Sequence, residues 1–144
     1  MSRRILFLCT GNYYRSRFAE ALFNAMAEER GLGIRAFSRG LALERLAEQE
    51  PLSPHCRKVL EGLGISLKHT QAFPTAVEEE DFRAAAEIVA LRETEHRLMM
   101  RERFPEWEPW VTYWEVADVD EKDPREAIPQ MAEEVAGLLK RWGR

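Results

Sequence analysis

The stretch RILFLCTGNYYRS, residues 4–16, changes character twice in a short span. Ile5 to Leu8 is a short, continuous apolar run, the signature of a fully buried strand. From Ser16 the period becomes helical. Phe18, Ala21, Leu22, Ala25 and Met26 recur at three- and four-residue spacing up to Arg30, and Gly31-Leu32-Gly33 ends the run. Between the two lies a loop that begins at Cys9 and ends on Arg15-Ser16. In an open parallel sheet, ligands bind at the carboxyl ends of the strands. A loop that wraps into a helix start points several backbone N–H groups at one spot, and the helix dipole adds positive potential there. The result is an anion site of phosphate size. Gly11 is expected to supply an unusual φ, and Asn12 tolerates the left-handed region. Arg15 can add a two-pronged contact to the anion.

A cysteine aimed at that spot sees a helix N-terminus and a guanidinium, and both favour the nucleophilic thiolate. Cys9 is then placed for in-line attack on phosphorus. The Ser16 hydroxyl can donate a hydrogen bond to the sulfur and ease its later departure. A free cysteine is often only a small buried hydrophobe, and Cys-x5-Arg alone is a weak signal. The order strand, Cys, Gly-Asn, Arg-Ser, helix is far more specific.

The same alternation continues outward from this stretch. Ile34 to Ser38 reads as a second strand, and Leu43, Leu46 and Ala47 suggest a helical turn before a polar loop. Pro54 to Leu63 is helical, with Ser53 as cap and Pro54 at the first position. Val77 to Ala86 is helical, with Thr75 as cap and Glu78 three residues on. Glu87 to Leu91 is a third strand, Glu93 to Phe104 a helix stopped by Pro105, and Val111 to Val116 a fourth strand. After an acidic loop, Ile128 to Trp142 forms a helix with Met131, Val135, Leu138 and Leu139 on one face. The expected fold is α/β: a four-stranded parallel sheet, doubly wound, with helices on both faces and a phosphate-binding loop between the first strand and the first helix. One domain is expected to span residues 1–144.

Composition narrows the function. The 144 residues are 45% hydrophobic and 32% charged, ordinary for a globular protein. A net charge of −4 argues against a dedicated nucleic-acid binder. No apolar stretch approaches the ~20 residues that span a bilayer, so no membrane partner is expected. The N-terminal apolar run is too short and too interrupted for a signal peptide, which leads to a cytoplasmic expectation. Two cysteines are too few for a disulfide framework, and none has zinc-like spacing with a histidine. His55, His69 and His96 are too scattered for a metal site and read as surface or cap residues. Cys56 reads as packing.

CTGNYYRS after an apolar strand resembles the low-molecular-weight protein tyrosine phosphatases, whose signature is Cys-x5-Arg-Ser with Gly-Asn inside it. RSRFAEALFN resembles the family's opening helix, Ser38-Arg39-Gly40 its Ser-Ala-Gly, and PHCRKVLEGLGISLKHT and EIVALRETEHRLMM its later segments. The resemblance implies a metal-free, cofactor-free phosphatase working through a phosphocysteine intermediate. It makes Cys9 the nucleophile and places phosphate on Arg15 and the Thr10, Gly11, Asn12, Tyr13, Tyr14 and Ser16 loop, with Asn12 holding its shape. The implied substrate is a phosphotyrosine protein or a small aryl phosphate, and a monomer is the default. Three departures stand out: Tyr14 replaces a second cysteine that many members carry, Arg17 replaces the usual Pro, and Glu87 replaces an Asp. Without the second thiol, Cys9 is exposed to irreversible oxidation.

The leaving oxygen needs a proton, and one carboxyl group can give it and later activate water. The family takes this acid from an Asp-Pro after the last strand. Here Asp118 matches the position, Asp123-Pro124 matches the dipeptide, and Asp120 lies between. Asp118 is preferred, because Pro supplies shape but no chemistry. Tyr13 is expected to face the substrate, and Trp107, Trp110 and Trp114 to suggest an aromatic wall, with Trp114 in the core. Arg125-Glu126 stand where mammalian members carry Tyr-Tyr, so substrate preference is expected to differ. Arsenate reduction with external thiols and a non-catalytic phosphate-binding module are the competing readings.

Overall fold

In the computed structural model, residues 3–116 and 124–143 are described, without the side chains of 124–127. Four strands form the sheet: β1 (Arg4–Cys9), β2 (Arg35–Gly40), β3 (Glu87–Ala90) and β4 (Val111–Tyr113). Their order is β2-β1-β3-β4, and every pairing is parallel. Among the described residues, five α-helices connect or follow them: α1 (Arg15–Glu29), α2 (Pro54–Gly62), α3 (Glu79–Ala84), α4 (Glu93–Arg103) and α5 (Pro124–Trp142).

Successive side chains of a strand point to opposite faces, and β1 is apolar on both. Ile5 and Phe7 join a core with α1, α2 and α5, whereas Leu6 and Leu8 join a second core with Phe82 of α3 and Met99 and Met100 of α4. A strand covered on both faces reads as a continuous apolar run, which is why Ile5 to Leu8 shows no alternation. The chain starts in the middle of the sheet, winds out to β2, then returns past β1 to β3. That reversal opens a crevice between the carboxyl ends of β1 and β3.

Local chemistry sets the element boundaries. Ser53 caps α2 by accepting the Cys56 N–H at 3.3 Å, with Pro54 in the first turn. The expected Thr75 cap is not used. Residues 75–77 run beside the end of β2, with Gly40 N donating to Thr75 O at 2.8 Å and Val77 N to Gly40 O at 3.0 Å. α3 begins later, at Glu79, and the Asp81 carboxylate accepts the Glu78 N–H at 2.8 Å. β4 is shorter than the apolar pattern suggests. Past Tyr113 the chain turns to α4, and Glu115 accepts from Thr94 N at 3.1 Å and Thr94 Oγ1 at 2.8 Å. Glu87 is structural: Thr112 Oγ1, Arg141 and Trp142 Nε1 all donate to its carboxylate, which ties the end of α5 to the sheet. Among the described residues no helix is long and apolar enough to cross a membrane.

Candidate active site

The loop from Cys9 to Tyr14 turns its carbonyls into the protein. Leu41 N donates to Cys9 O and Ala42 N to Thr10 O, both at 2.9 Å. Arg17 donates to Asn12 O at 3.3 Å, Ser53 N to Tyr13 O at 3.2 Å, and Phe18 N to Tyr14 O at 2.8 Å. A trans peptide sets each N–H opposite the preceding carbonyl. Carbonyls held against the scaffold therefore leave the N–H groups of this loop facing the other way, into the concave side. α1 starts at Arg15 with no side-chain cap on its N-cap residue, Tyr14, so its dipole also opens on this space.

Asn12 makes the turn. Its φ is +52°, the left-handed region that Asn tolerates better than most residues. The expectation that Gly11 supplies this conformation is corrected, because Gly11 has no positive φ. What Gly11 contributes is space: a Cβ there would sit 3.2 Å from Leu46 Cδ1. Gly40 gives room of the same kind, since a Cβ on it would lie 2.9 Å from Thr10 O and 3.1 Å from Asn12 Cβ.

The Asn12 side chain is fully buried and uses its whole hydrogen-bonding capacity. Its Nδ2 donates to Ser16 Oγ at 2.8 Å and to Ser38 Oγ at 3.0 Å. Its Oδ1 accepts from Gln71 Nε2 at 2.6 Å and Thr75 N at 2.9 Å. Thr75 is drawn here, which explains why it does not cap α3. Because Ser16 Oγ accepts from Asn12, its own proton is available for Cys9 Sγ, 2.9 Å away. Ser38 in turn donates to Glu20 Oε1 at 2.9 Å.

From the other side of the crevice comes Glu95, in the first turn of α4. Its carboxylate takes both prongs of Arg15, at 2.9 and 3.1 Å, and also the Thr10 hydroxyl. Beneath it, His96 is fully buried, which corrects its reading as a surface residue. Arg92 N donates to His96 Nδ1 at 3.0 Å, so the neutral ring carries its proton on Nε2, 3.3 Å from Thr10 Oγ1 and 3.5 Å from Glu95. Burial holds His96 below the usual imidazole value despite the carboxylate beside it. The hydrogen bond from His96, followed by those from Arg15 and Thr10, holds Glu95 well below the usual carboxylate range. Sequence reasoning missed Glu95. The signal available was its place just after β3, the strand beside β1 at the reversal of strand order.

Cys9, Thr10, Arg15 and Glu95 line a cavity of about 330 Å³, together with Tyr13, Arg45, Leu46 and Glu48. Both tyrosines line it. Tyr13 also donates to Glu50 at 2.9 Å, and its hydroxyl is pushed up to about 12, first by burial and then by that carboxylate. Tyr14 also packs between Phe18 and His55, with ring centroids at 6.4 and 5.5 Å. The aromatic wall expected from the tryptophans is not there. Trp107 stacks on Phe82, and with Trp110 it lines a separate cavity near Glu87 and Ile88, at the amino end of β3. Trp114 is core, against Phe7. Cys56 is fully buried, with its thiol pushed up to about 12 by burial. Asp118, Asp120 and Asp123 lie outside the described residues.

A family model described as low molecular weight phosphotyrosine protein phosphatase matches residues 4–141. The chain belongs to this family. It is 31% identical over 100 residues to a protein-arginine-phosphatase of Bacillus subtilis, covering 69% of this chain and 62% of that one. Over 69 residues it is 38% identical to a low molecular weight protein-tyrosine-phosphatase of Streptomyces coelicolor, covering 48% and 42%. The aligned segments thus span less than two thirds of these relatives' lengths. The crystal structure of a low molecular weight protein tyrosine phosphatase from T. tengcongensis superposes with a TM-score of 0.75 at 29% identity, over 98% of this chain and 97% of that one. A Cys, a helix N-terminus and an Arg meet at the sheet's switch crevice, the parts that phosphoryl transfer to sulfur requires.

Proposed function

We propose that this protein is a cysteine-dependent phosphatase that hydrolyses phosphotyrosine or small aryl phosphates through a phosphocysteine intermediate. One observation carries the reading: Cys9 Sγ sits 2.9 Å from a Ser16 hydroxyl whose oxygen is already engaged by Asn12, and Cys9 lines the same cavity as Arg15. The Cys9 thiolate attacks phosphorus in line, and the bond from phosphorus to the leaving oxygen breaks. Arg15 and the amides of Thr10, Gly11, Asn12, Tyr13, Tyr14 and Ser16 hold the three equatorial oxygens, where transition-state charge is spread. Asp118 gives its proton to the leaving oxygen. The resulting carboxylate then takes a proton from water, which attacks the phosphocysteine, releases inorganic phosphate and restores the thiolate. Ser16 donates to the sulfur as it leaves. The Tyr13 ring lines the cavity and can stack on a flat aryl group.

Hydrolysis of p-nitrophenyl phosphate against pH tests this, for wild type, Cys9→Ser, Asp118→Asn, Asp120→Asn and Asp123→Asn. Turnover lost in Cys9→Ser and lowered most by Asp118→Asn is expected. Loss in a different Asp variant moves the acid to that residue. Wild-type protein with a reduced thiol and no turnover overturns the reading. Phosphotyrosyl and phosphoarginyl peptides compared side by side settle the substrate, with the tyrosyl peptide expected to turn over faster.

A further inference from the structure

Arg17 is 1% exposed, and among the fully buried side chains of the described residues it is the largest. It stands in the first turn of α1, where the family pattern has a proline. A buried guanidinium is costly unless its N–H groups are matched, and here they are matched across three segments. Nε donates to Thr70 Oγ1 at 2.7 Å. One terminal nitrogen donates to Asn12 O at 3.3 Å and Pro51 O at 3.0 Å, and the other donates to Gln71 O. Glu20 stands 4.0 Å from Nε.

These partners belong to one assembly. Asn12 O is the inward-facing carbonyl of the residue that takes the left-handed turn. Gln71 also donates its side chain to Asn12 Oδ1, so Arg17 fixes the backbone of the residue that fixes Asn12. Pro51 lies two residues before Ser53, whose N–H holds the Tyr13 carbonyl. The guanidinium thus stands directly behind the loop, against the Asn12 carbonyl oxygen.

We propose that Arg17 is a positioning residue of the phosphate cradle, joining the loop at Asn12 to the segments at Pro51 and Gln71 and setting a second fixed positive charge behind the bound anion. A proline at this place tolerates the helix start, since the first-turn N–H has no helical partner. In this chain it would leave the Asn12, Pro51 and Gln71 carbonyls without this donor and Glu20 without its nearby cation. The proposal rests on the reading of the loop as a phosphate cradle.

Alkylation of Cys9 separates charge and shape from stability. Iodoacetate carries an anionic group into the cradle and iodoacetamide does not, so the ratio of their rates reports the field there. The rates are read by mass spectrometry at Cys9, with inorganic phosphate as protectant, well below each variant's melting temperature. In Arg17→Met the iodoacetate-to-iodoacetamide ratio is expected to fall about threefold or more, and the phosphate concentration that half-protects to rise about tenfold. Arg17→Lys, which keeps charge but not the fork, is expected to recover the ratio but not the phosphate protection. A folded Arg17→Met with wild-type ratio and protection overturns the proposal. If Arg17→Met does not fold, Arg17→Lys decides: unchanged phosphate protection in that variant overturns it. Wild-type Cys9 that phosphate never protects sinks the cradle reading itself, a different result from either.

Discussion

The crevice has two banks, and they hold the loop from Cys9 to Tyr14 by different means. On the β2 bank, Asn12 is gripped by Ser38, Gln71 and Thr75, with Glu20 and Arg17 closing the network behind. Asn12, Ser38, Glu20 and Arg17 are buried, Gln71 and Thr75 half-buried, and most of the contacts join neutral groups. On the β3 bank, Glu95 holds Arg15 and Thr10 by a carboxylate, with the side chain 28% exposed and a buried His96 below it. The first bank sets backbone shape and answers to packing. The second sets the direction of a guanidinium and answers to pH.

Mutations can break this division. Asn12→Ala is expected to have the largest effect, because it removes the left-handed preference and leaves Thr75 N and two buried serines short of partners. A loss of ~2–4 kcal/mol in urea titration and a fall of about a hundredfold in kcat/KM for p-nitrophenyl phosphate are expected. Gly40→Ala acts on the same bank through bulk. Its methyl would press on Thr10 O and Asn12 Cβ, and about a tenfold loss in kcat/KM is expected, with most of it in KM.

Glu95→Gln probes the other bank. A Gln amide cannot accept both prongs of Arg15, so KM is expected to rise several-fold, up to about tenfold. The pH signature distinguishes it further. Glu95 titrates lower folded than unfolded, so its stabilising contribution is present above about pH 4.3 and is lost as the pH falls towards its folded value. Thermal melts below pH 4.3 should therefore flatten in Glu95→Gln relative to wild type. A steeper acid limb instead would count against the ion pair.

His96 sharpens the same contrast at milder pH. Held neutral by burial, it binds its proton less readily folded than unfolded. Its contribution is complete above about pH 6.5 and declines as the pH drops towards the folded value. In His96→Gln that part of the decline is expected to vanish from a stability-pH profile. Tyr13→Phe should matter least. It removes one exposed hydrogen bond to Glu50 but keeps the ring, so kcat/KM for an aryl phosphate is expected to move by less than about twofold.

What could be read in the sequence was what local chemistry controls. The unbroken run Ile5 to Leu8 announced a strand covered on both faces, and Ser53-Pro54 announced the start of α2. The convergence of Cys9, Asn12, Arg15 and Ser16 was legible because loop and helix are consecutive. Glu95 and His96 were not, because their partners in the loop, Arg15 and Thr10, lie 80 or more residues away in sequence and meet them only through the strand order. Thr75 misled for a related reason: its local value as a cap gives way to a long-range contact with Asn12. The tryptophans misled through direction. Glu108–Trp110 is a short helical turn that leads into β4 from its amino end, so Trp107 and Trp110 sit at the far end of the sheet from Cys9.

The scaffold-held carbonyls of Cys9, Thr10, Asn12, Tyr13 and Tyr14 have one more consequence. A loop whose backbone is anchored on Leu41, Ala42, Ser53, Arg17 and Phe18 before any anion arrives has little freedom left to lose. Association then carries almost no ordering entropy, and selectivity is written into a shape that does not adapt. Amide hydrogen exchange across these residues should hardly change when phosphate is added. Large new protection there would mean that the anion itself moulds the loop.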